Sequence, residues 1–92
     1  MTDQEFIARC QVDGYVDIER KQQPANFTAQ MHSHPFDARV FVTAGLMTLG
    51  RDDATRTFNP GEYCDVPAGQ IHAEGWGPEG ASVVVGRRHP KS

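Results

Sequence analysis

The chain has 92 residues, of which 38% are apolar and 23% are charged, a composition typical of a globular protein. A chain of this length supports one hydrophobic core, contains no apolar run long enough to cross a bilayer, and begins without the pattern of a secretory leader. We therefore expect one cytoplasmic domain over residues 1–92 that does not bind a membrane. The net charge of −3 argues against a nucleic-acid partner as well.

The beginning of the chain predicts a short helix, and the rest predicts strands. Thr2 and Glu5 have the spacing of a capping box and Gly14 is a suitable stop, so we expect a helical segment over 1–14. After Tyr15, apolar residues alternate with polar ones and turn-forming residues recur at short intervals. This pattern is typical of an all-β sandwich or barrel, with strands near 15–21, 27–33, 38–44, 46–50, 54–58, 62–66, 70–74 and 82–88.

Two histidines, His32 and His34, are separated by one residue in the second predicted strand. Side chains two apart on a strand point to the same face, which Thr28 and Gln30 share. Two imidazoles on one face can converge on a metal ion, because metal to nitrogen bonds are about 2.1 Å long. His72 begins another predicted strand, and a lone histidine of this kind is more often structural than a ligand.

The spacing around these histidines resembles the two sequence motifs of the cupin superfamily. The first motif, G(x)5HxH(x)3–4E(x)6G, is matched over residues 26–45 by Asn26, His32, His34, Ala38 and Gly45. The second motif, G(x)5PxG(x)2H(x)3N, is matched over residues 61–76 by Gly61, Pro67, Gly69, His72 and Trp76. From the start of the first motif to the end of the second, the resemblance spans residues 26–76, more than half of the chain, and each motif fits without a gap in register.

This resemblance implies a single-domain jelly-roll β-barrel of two antiparallel sheets. It implies that His32, His34 and His72 line the interior and hold a divalent metal ion. It also implies a small-molecule ligand in the barrel mouth, and domains of this kind are commonly homodimers.

Strand parity then predicts which side chains face the interior. An arginine in a barrel core is costly, so Arg39 should face outward. The cavity would then be lined by Thr28, Gln30, Ala38, Val40 and Val42. Phe41 shares the outward face with Arg39, where we expect a second layer or, preferably, a partner subunit.

Three positions depart from the cupin motifs. Asn26 replaces a glycine, which is a mild change because asparagine tolerates a left-handed backbone. Trp76 replaces an asparagine, and Ala38 stands where the family has a carboxylate ligand. Asp37 should face away from the site and cap a turn or pair with an arginine, whereas Glu74 shares the face of His72 if that strand continues. Gly75 and Gly77 indicate instead that the strand ends, which leaves Glu74 at the rim.

Two further side chains could take part in chemistry. Tyr63 is a candidate proton donor, although strand parity does not fix which way it points. Cys64 lies inside the second motif, and because no cation or helix N-terminus is near it in sequence, we interpret it as a packed thiol. Cys10 and Cys64 are expected to be reduced.

Three functions are compatible with these residues. The first is a metal-binding cupin that binds a small molecule and acts as an Fe(II)-dependent dioxygenase, because a three-histidine site resembles those of the cupin thiol and diketone dioxygenases. The second is a metal-dependent lyase or isomerase acting on a sugar acid or related compound, in which Glu74 moves a proton. The third is a binding or sensing module without catalysis. The ligand types suit Fe, Ni, Mn, Cu and Zn alike.

Overall fold

A computed structural model describes residues 1–28, 30–52 and 54–89. It contains one helix, α1 (Asp3–Val12), followed by five strands: β1 (Val16–Gln23), β2 (Asp37–Arg51), β3 (Ala54–Phe58), β4 (Tyr63–Val66) and β5 (Ala73–Arg88). The strands pair antiparallel in the order β1-β5-β2-β3, and β4 pairs with β2 as well. The predicted all-β barrel with a short N-terminal helix is therefore confirmed.

Helix α1 forms as its capping residues predict. The Thr2 hydroxyl accepts a hydrogen bond from the Glu5 backbone, and the Glu5 carboxylate accepts one from the Thr2 backbone. Phe6 is the largest buried side chain of the helix and stacks on Phe41 of β2, with 5.1 Å between the ring centres. The expectation that Phe41 contacts a partner subunit is therefore wrong, because α1 covers it.

The two long strands β2 and β5 each replace two strands of the predicted set. Both continue through a bend, where the register shifts between Val42 and Ala44 and again between Gly45 and Met47. Gly45 has a φ of 77° at this bend, and a Cβ on it would overlap the carbonyl oxygen of Gly80. Glycine thus bends the ladder here, where the sequence pattern indicated that each strand ends.

Position 29 of the predicted strand 27–33 lies outside the described residues, and the described residues of this segment form no strand. The segment touches β5 and the residues before it at two isolated bridges, Thr28 with Gly75 and His32 with His72. Asn26 has a φ of 55°, as its substitution for glycine in the motif allows. Pro35 follows the segment, and proline has no N–H to donate to a ladder.

The barrel interior holds the main hydrophobic core. Ala38, Val40 and Val42 are buried members of this core. The other members of the cluster are Met47, Leu49, Phe58, Cys64, Val66, Trp76, Ala81 and Val83. Among the residues that the structure describes, no helix is long and apolar enough to span a membrane.

Candidate metal centre

The site begins with a reciprocal backbone pair between two histidines. The N–H of His32 donates to the carbonyl of His72, and the N–H of His72 donates to the carbonyl of His32, both at 2.9 Å. This antiparallel bridge joins the segment before β2 to the segment before β5. It sets the two imidazole centres 4.5 Å apart, although 40 positions separate the residues in sequence.

Each of these two rings is oriented by a carbonyl two residues earlier. Nδ1 of His32 lies 2.7 Å from the carbonyl oxygen of Gln30, and Nδ1 of His72 lies 2.9 Å from that of Gln70. An Nδ1 atom in such contact carries the hydrogen, which leaves the lone pair on Nε2. Backbone carbonyls orient metal-binding histidines in the same way in known metal sites.

His72 supplies the observation that fits a metal ion most closely. Its side chain is fully buried, and its Nε2 atom has no hydrogen-bond partner among the described residues. Leaving a buried polar atom unpaired costs about 1 to 3 kcal/mol, so such atoms in native structures usually have a function. An imidazole nitrogen that binds a divalent ion needs no other partner.

His34 completes the histidine group from the same segment as His32. Its ring centre lies 4.9 Å from those of both other histidines, and it stacks on Phe36 at 4.9 Å. Burial lowers the pKa of His34, and the nearby His72 and His32 lower it further. The ring is therefore neutral near pH 7, which is the form that binds metal.

Glu74 is the fourth member of the group. One carboxylate oxygen lies 3.3 Å from Nε2 of His72, without hydrogen-bond geometry. The ligand atoms of His32, His34, His72 and Glu74 all lie within 4.8 Å of one another. Ligands bound at about 2.1 Å from one ion are at most about 4.2 Å apart, so small side-chain movements are enough to bind a metal.

The carboxylate therefore comes from β5, where the sequence pattern indicated a rim position. Strand β5 begins at Ala73 and continues through Gly75 and Gly77, so Glu74 keeps the face it shares with His72. A Cβ on Gly75 would overlap the hydroxyl of Thr48, so that glycine permits close strand packing. The two glycines that suggested a strand end are thus part of the strand.

Ala38 and Asp37, at the family's carboxylate position and beside it, take no part in the group. Ala38 is buried and paired with Val66 and Arg87. The Asp37 carboxylate accepts hydrogen bonds from the Ala68 backbone at 2.8 Å and from Arg88 at 3.0 Å. These bonds hold the pKa of Asp37 below its usual range. Asp37 thus caps a turn and pairs with an arginine, as the sequence predicts.

Three of the predicted site residues do not reach the histidines with their side chains. Tyr63 pairs with Phe41 on the helix side of the sheet, and its ring lies 6.0 Å from that of Phe6. The outward position of Tyr63 removes it from contact with a metal ligand. Thr28 and Gln30 are exposed, and Gln30 contributes only the carbonyl that orients His32.

Two arginines that the sequence reasoning missed lie on the same face of the sheet as Glu74. Leu49 opposes Glu74 on one side and Arg56 on the other, so the three side chains share the inward face. Arg51 lies two residues beyond Leu49 on the same face. The alternation of Leu49 with Arg51 and of Arg56 with Phe58 is the sequence signal that could have identified them.

Comparisons with known proteins identify the fold through solved structures. No family model and no curated protein matches the chain. A conserved protein of unknown function from Streptococcus pyogenes matches with a TM-score of 0.70 and 25% identity over 82% of this chain and 65% of that one. The chain therefore spans slightly less than two thirds of that protein.

Two further matches carry a family description. A cupin superfamily protein from Desulfitobacterium hafniense has a TM-score of 0.70 and 18% identity over 79% of this chain and 66% of its own. A cupin-2 domain protein from Shewanella frigidimarina has a TM-score of 0.63 and 21% identity over 75% and 68% of the two chains. At these identities the likeness concerns the fold.

Proposed function

This chain has the cupin fold, and we propose that it binds a divalent metal ion through His32, His34, His72 and Glu74 and a small molecule beside that ion. The observation that carries the proposal is the fully buried Nε2 atom of His72, which has no hydrogen-bond partner among the described residues and lies within 4.8 Å of the other three ligand atoms. Three imidazoles and one carboxylate are a donor set that first-row divalent metals accept.

Some residues around the ion orient its ligands, and one supplies negative charge. The carbonyls of Gln30 and Gln70 fix the rings of His32 and His72, and the stacked Phe36 fixes His34. Glu74 supplies one negative charge, which offsets part of the charge of the ion. Fe, Ni, Mn, Cu and Zn all suit these donors.

As an activity we propose Fe(II)-dependent oxygenation of the bound small molecule. A bound ferrous ion would supply the redox chemistry, and the protein side chains position the substrate beside it. A lyase or isomerase reaction requires Glu74 to be free to move a proton. Its carboxylate lies 3.3 Å from Nε2 of His72, which favours the role of ligand. Activity that persists without oxygen would support the lyase or isomerase instead.

Metal analysis tests the binding proposal directly. Protein stripped with chelator, reconstituted with Fe(II), Mn(II), Ni(II), Cu(II) or Zn(II) and desalted should retain about one ion per chain for at least one of these metals. His72→Ala should lose the ion, because it removes the most buried ligand. His89→Ala is the matched control, because His89 is exposed and pairs with Asp17. Less than stoichiometric metal in the wild type with all five metals would refute the proposal.

A further inference from the structure

A cavity of about 580 Å³ is lined by residues of β2, β3 and β4, and none of the proposed metal ligands lines it. It includes Leu49, the residue of β2 that pairs with Glu74. Its walls include Leu49, Arg51, Arg56, Phe58, Cys64 and Asp65, and we call it the arginine cavity. Leu49, Phe58 and Cys64 are buried members of the hydrophobic core, so they give the cavity an apolar floor. A volume of this size is typical of a pocket for a small organic molecule.

Two guanidinium groups border this apolar floor. Arg56 lies over the Phe58 ring at 5.0 Å from its centre, which holds the side chain along the wall. Arg51 donates a hydrogen bond to the backbone carbonyl of Asp65 and so bridges β2 and β4 at the edge of the cavity. Both arginines are thus positioned by contacts that leave donor groups available, since a guanidinium carries five N–H bonds.

The charges of these arginines are not neutralised by an acidic side chain in the described part of the chain. No carboxylate of that part lies within ion-pair distance of Arg51 or Arg56. Asp65 is the acidic residue of the wall, but its carboxylate accepts hydrogen bonds from Arg39 at 2.7 Å and from the Tyr15 hydroxyl at 3.4 Å. The Asp65 carboxylate is therefore already hydrogen-bonded to groups on the helix side of the sheet.

The arginine cavity and the metal centre are neighbours in the same sheet. Glu74, Leu49 and Arg56 are directly opposed on three adjacent strands, so the backbones at Glu74 and Arg56 are about 10 Å apart. The pKa of the Cys64 thiol is influenced by charged residues of both sites. Burial raises the pKa of its thiol to about 12, with Arg51 lowering it and Glu74 raising it.

We propose that the arginine cavity binds the anionic group of a small organic acid whose other polar group lies at the metal centre. This inference rests on the proposed metal-binding function and specifies its ligand. Arg51 and Arg56 bind the anion, a carboxylate or a phosphoryl group, through charge-assisted hydrogen bonds. The apolar body of the ligand packs on Leu49, Phe58 and Cys64.

Three probes of similar shape test the charge requirement. Phenylacetate, phenylphosphonate and phenylacetamide are titrated into the metal-reconstituted protein, and binding is followed by the NMR signals of the arginine Nε–H groups. At least one anion should bind at least tenfold more tightly than the amide and shift the signals of Arg51 and Arg56. The tighter of the two anions identifies the ligand as a carboxylate or a phosphoryl compound.

Substitutions then locate the anion. Arg51→Gln and Arg56→Gln should each weaken binding of the preferred anion about tenfold, because each removes a charge-assisted hydrogen bond. Arg51→Lys and Arg56→Lys keep the charge and should retain a preference for the anion over the amide. Arg9→Gln is the control, since it removes the same charge from the exposed face of α1 and should not change affinity.

Equal binding of the amide and both anions, an equal loss in Arg9→Gln, or no binding of any probe would overturn the proposal. Metal content is measured in the same samples to separate the two proposals. If the wild type holds stoichiometric metal but has no preference for anions, only the arginine cavity is refuted. If it holds no metal, the metal proposal fails, and titration of the metal-free protein still tests Arg51 and Arg56.

Discussion

The inward side chains of the ladder between β2 and β5 are apolar beside its bend and charged toward one of its ends. Beside the bend, the inward side chains Val42, Met47, Ala81 and Val83 are buried and apolar. Toward one end of the ladder, the same inward face carries Glu74 on β5 and, on β2, Arg51. The backbone pairing is antiparallel in both regions, so the side chains alone make one region a core and the other a site. Stability and ligand binding should therefore be separable by mutation.

The largest expected effect is on the bend itself. Gly45→Ala should lower the free energy of unfolding by about 3 kcal/mol or more, because the residue has a positive φ and its new Cβ would overlap the carbonyl of Gly80. Gly69→Ala is the matched control. Gly69 also has a positive φ, but no heavy atom lies within 4 Å of the position that a Cβ would take, so the loss should be about 1 to 2 kcal/mol. Urea unfolding of both variants measures the difference, and equal losses would contradict the role of the bend.

A second substitution tests the core beside the bend. Val83→Ala should cost about 2 kcal/mol of stability through the lost burial and the cavity that remains, while metal stoichiometry stays unchanged. Val16→Ala makes the same change at an exposed position of β1 and should cost little. Loss of metal in Val83→Ala, in protein that is still folded, would show that the two regions are not separable.

A third substitution tests the end of the ladder. Glu74→Gln should weaken metal binding about tenfold, or about 1.4 kcal/mol, with little change in the stability of the metal-free protein. Glu79→Gln makes the same change at an exposed position on the same strand and should leave metal affinity unchanged. Competition with a metal-binding dye gives both affinities. Unchanged affinity in Glu74→Gln would remove Glu74 from the ligand set.

Acid should weaken the interactions of the Asp37 carboxylate at the start of β2. Its hydrogen bonds to the Ala68 backbone and to Arg88 lower the pKa of Asp37 in the folded state. The ionised Asp37 therefore stabilises the folded state at pH values above the pKa of an aspartate in the unfolded chain, near 3.9. This stabilisation is lost as the pH falls through the lower pKa that Asp37 has in the folded state. Wild type and Asp37→Asn should differ by about 1 kcal/mol at pH 7 and converge in strong acid. A difference independent of pH would contradict this interpretation.

The smallest effect concerns the thiols. Burial raises the pKa of Cys64 to about 12 and raises that of Cys10 as well. Because the thiolate is the reactive form, both thiols should react slowly with a disulfide reagent at pH 8 in folded protein and rapidly in urea. Fast reaction of one thiol in the folded state would indicate that the cavity beside Cys64, or the packing of α1 over Cys10, is more open than described.

The match to the two motifs was sufficient to predict the fold and the grouping of His32, His34 and His72. The histidines come together although His32 lies in an isolated bridge rather than in the predicted strand. Glu74 was harder, because Gly75 and Gly77 are turn residues in isolation. Their role in the strand depends on Thr48 and Leu46 in β2, which approach those glycines closely. Contacts between distant segments cannot be inferred from local composition.

Local sequence patterns also could not predict the contact of Phe41 or the arginine cavity. The partner of Phe41 is Phe6 of α1, and periodicity identifies an apolar outward residue without saying what covers it. Arg51 and Arg56 lie on opposing strands, and only the register of β2 with β3 and β5 places them on the same face as Glu74. Register is set by the whole sheet, so residue-by-residue patterns do not give it.

The ligand shell of the metal is the most direct test of the metal centre. X-ray absorption spectra of the reconstituted protein should show three imidazole ligands and one carboxylate in the wild type. Glu74→Gln should lose the carboxylate contribution, and His72→Ala should retain too little metal to give the wild-type spectrum. A wild-type spectrum with fewer than three imidazoles, or one that neither substitution changes, would contradict a centre built from His32, His34, His72 and Glu74.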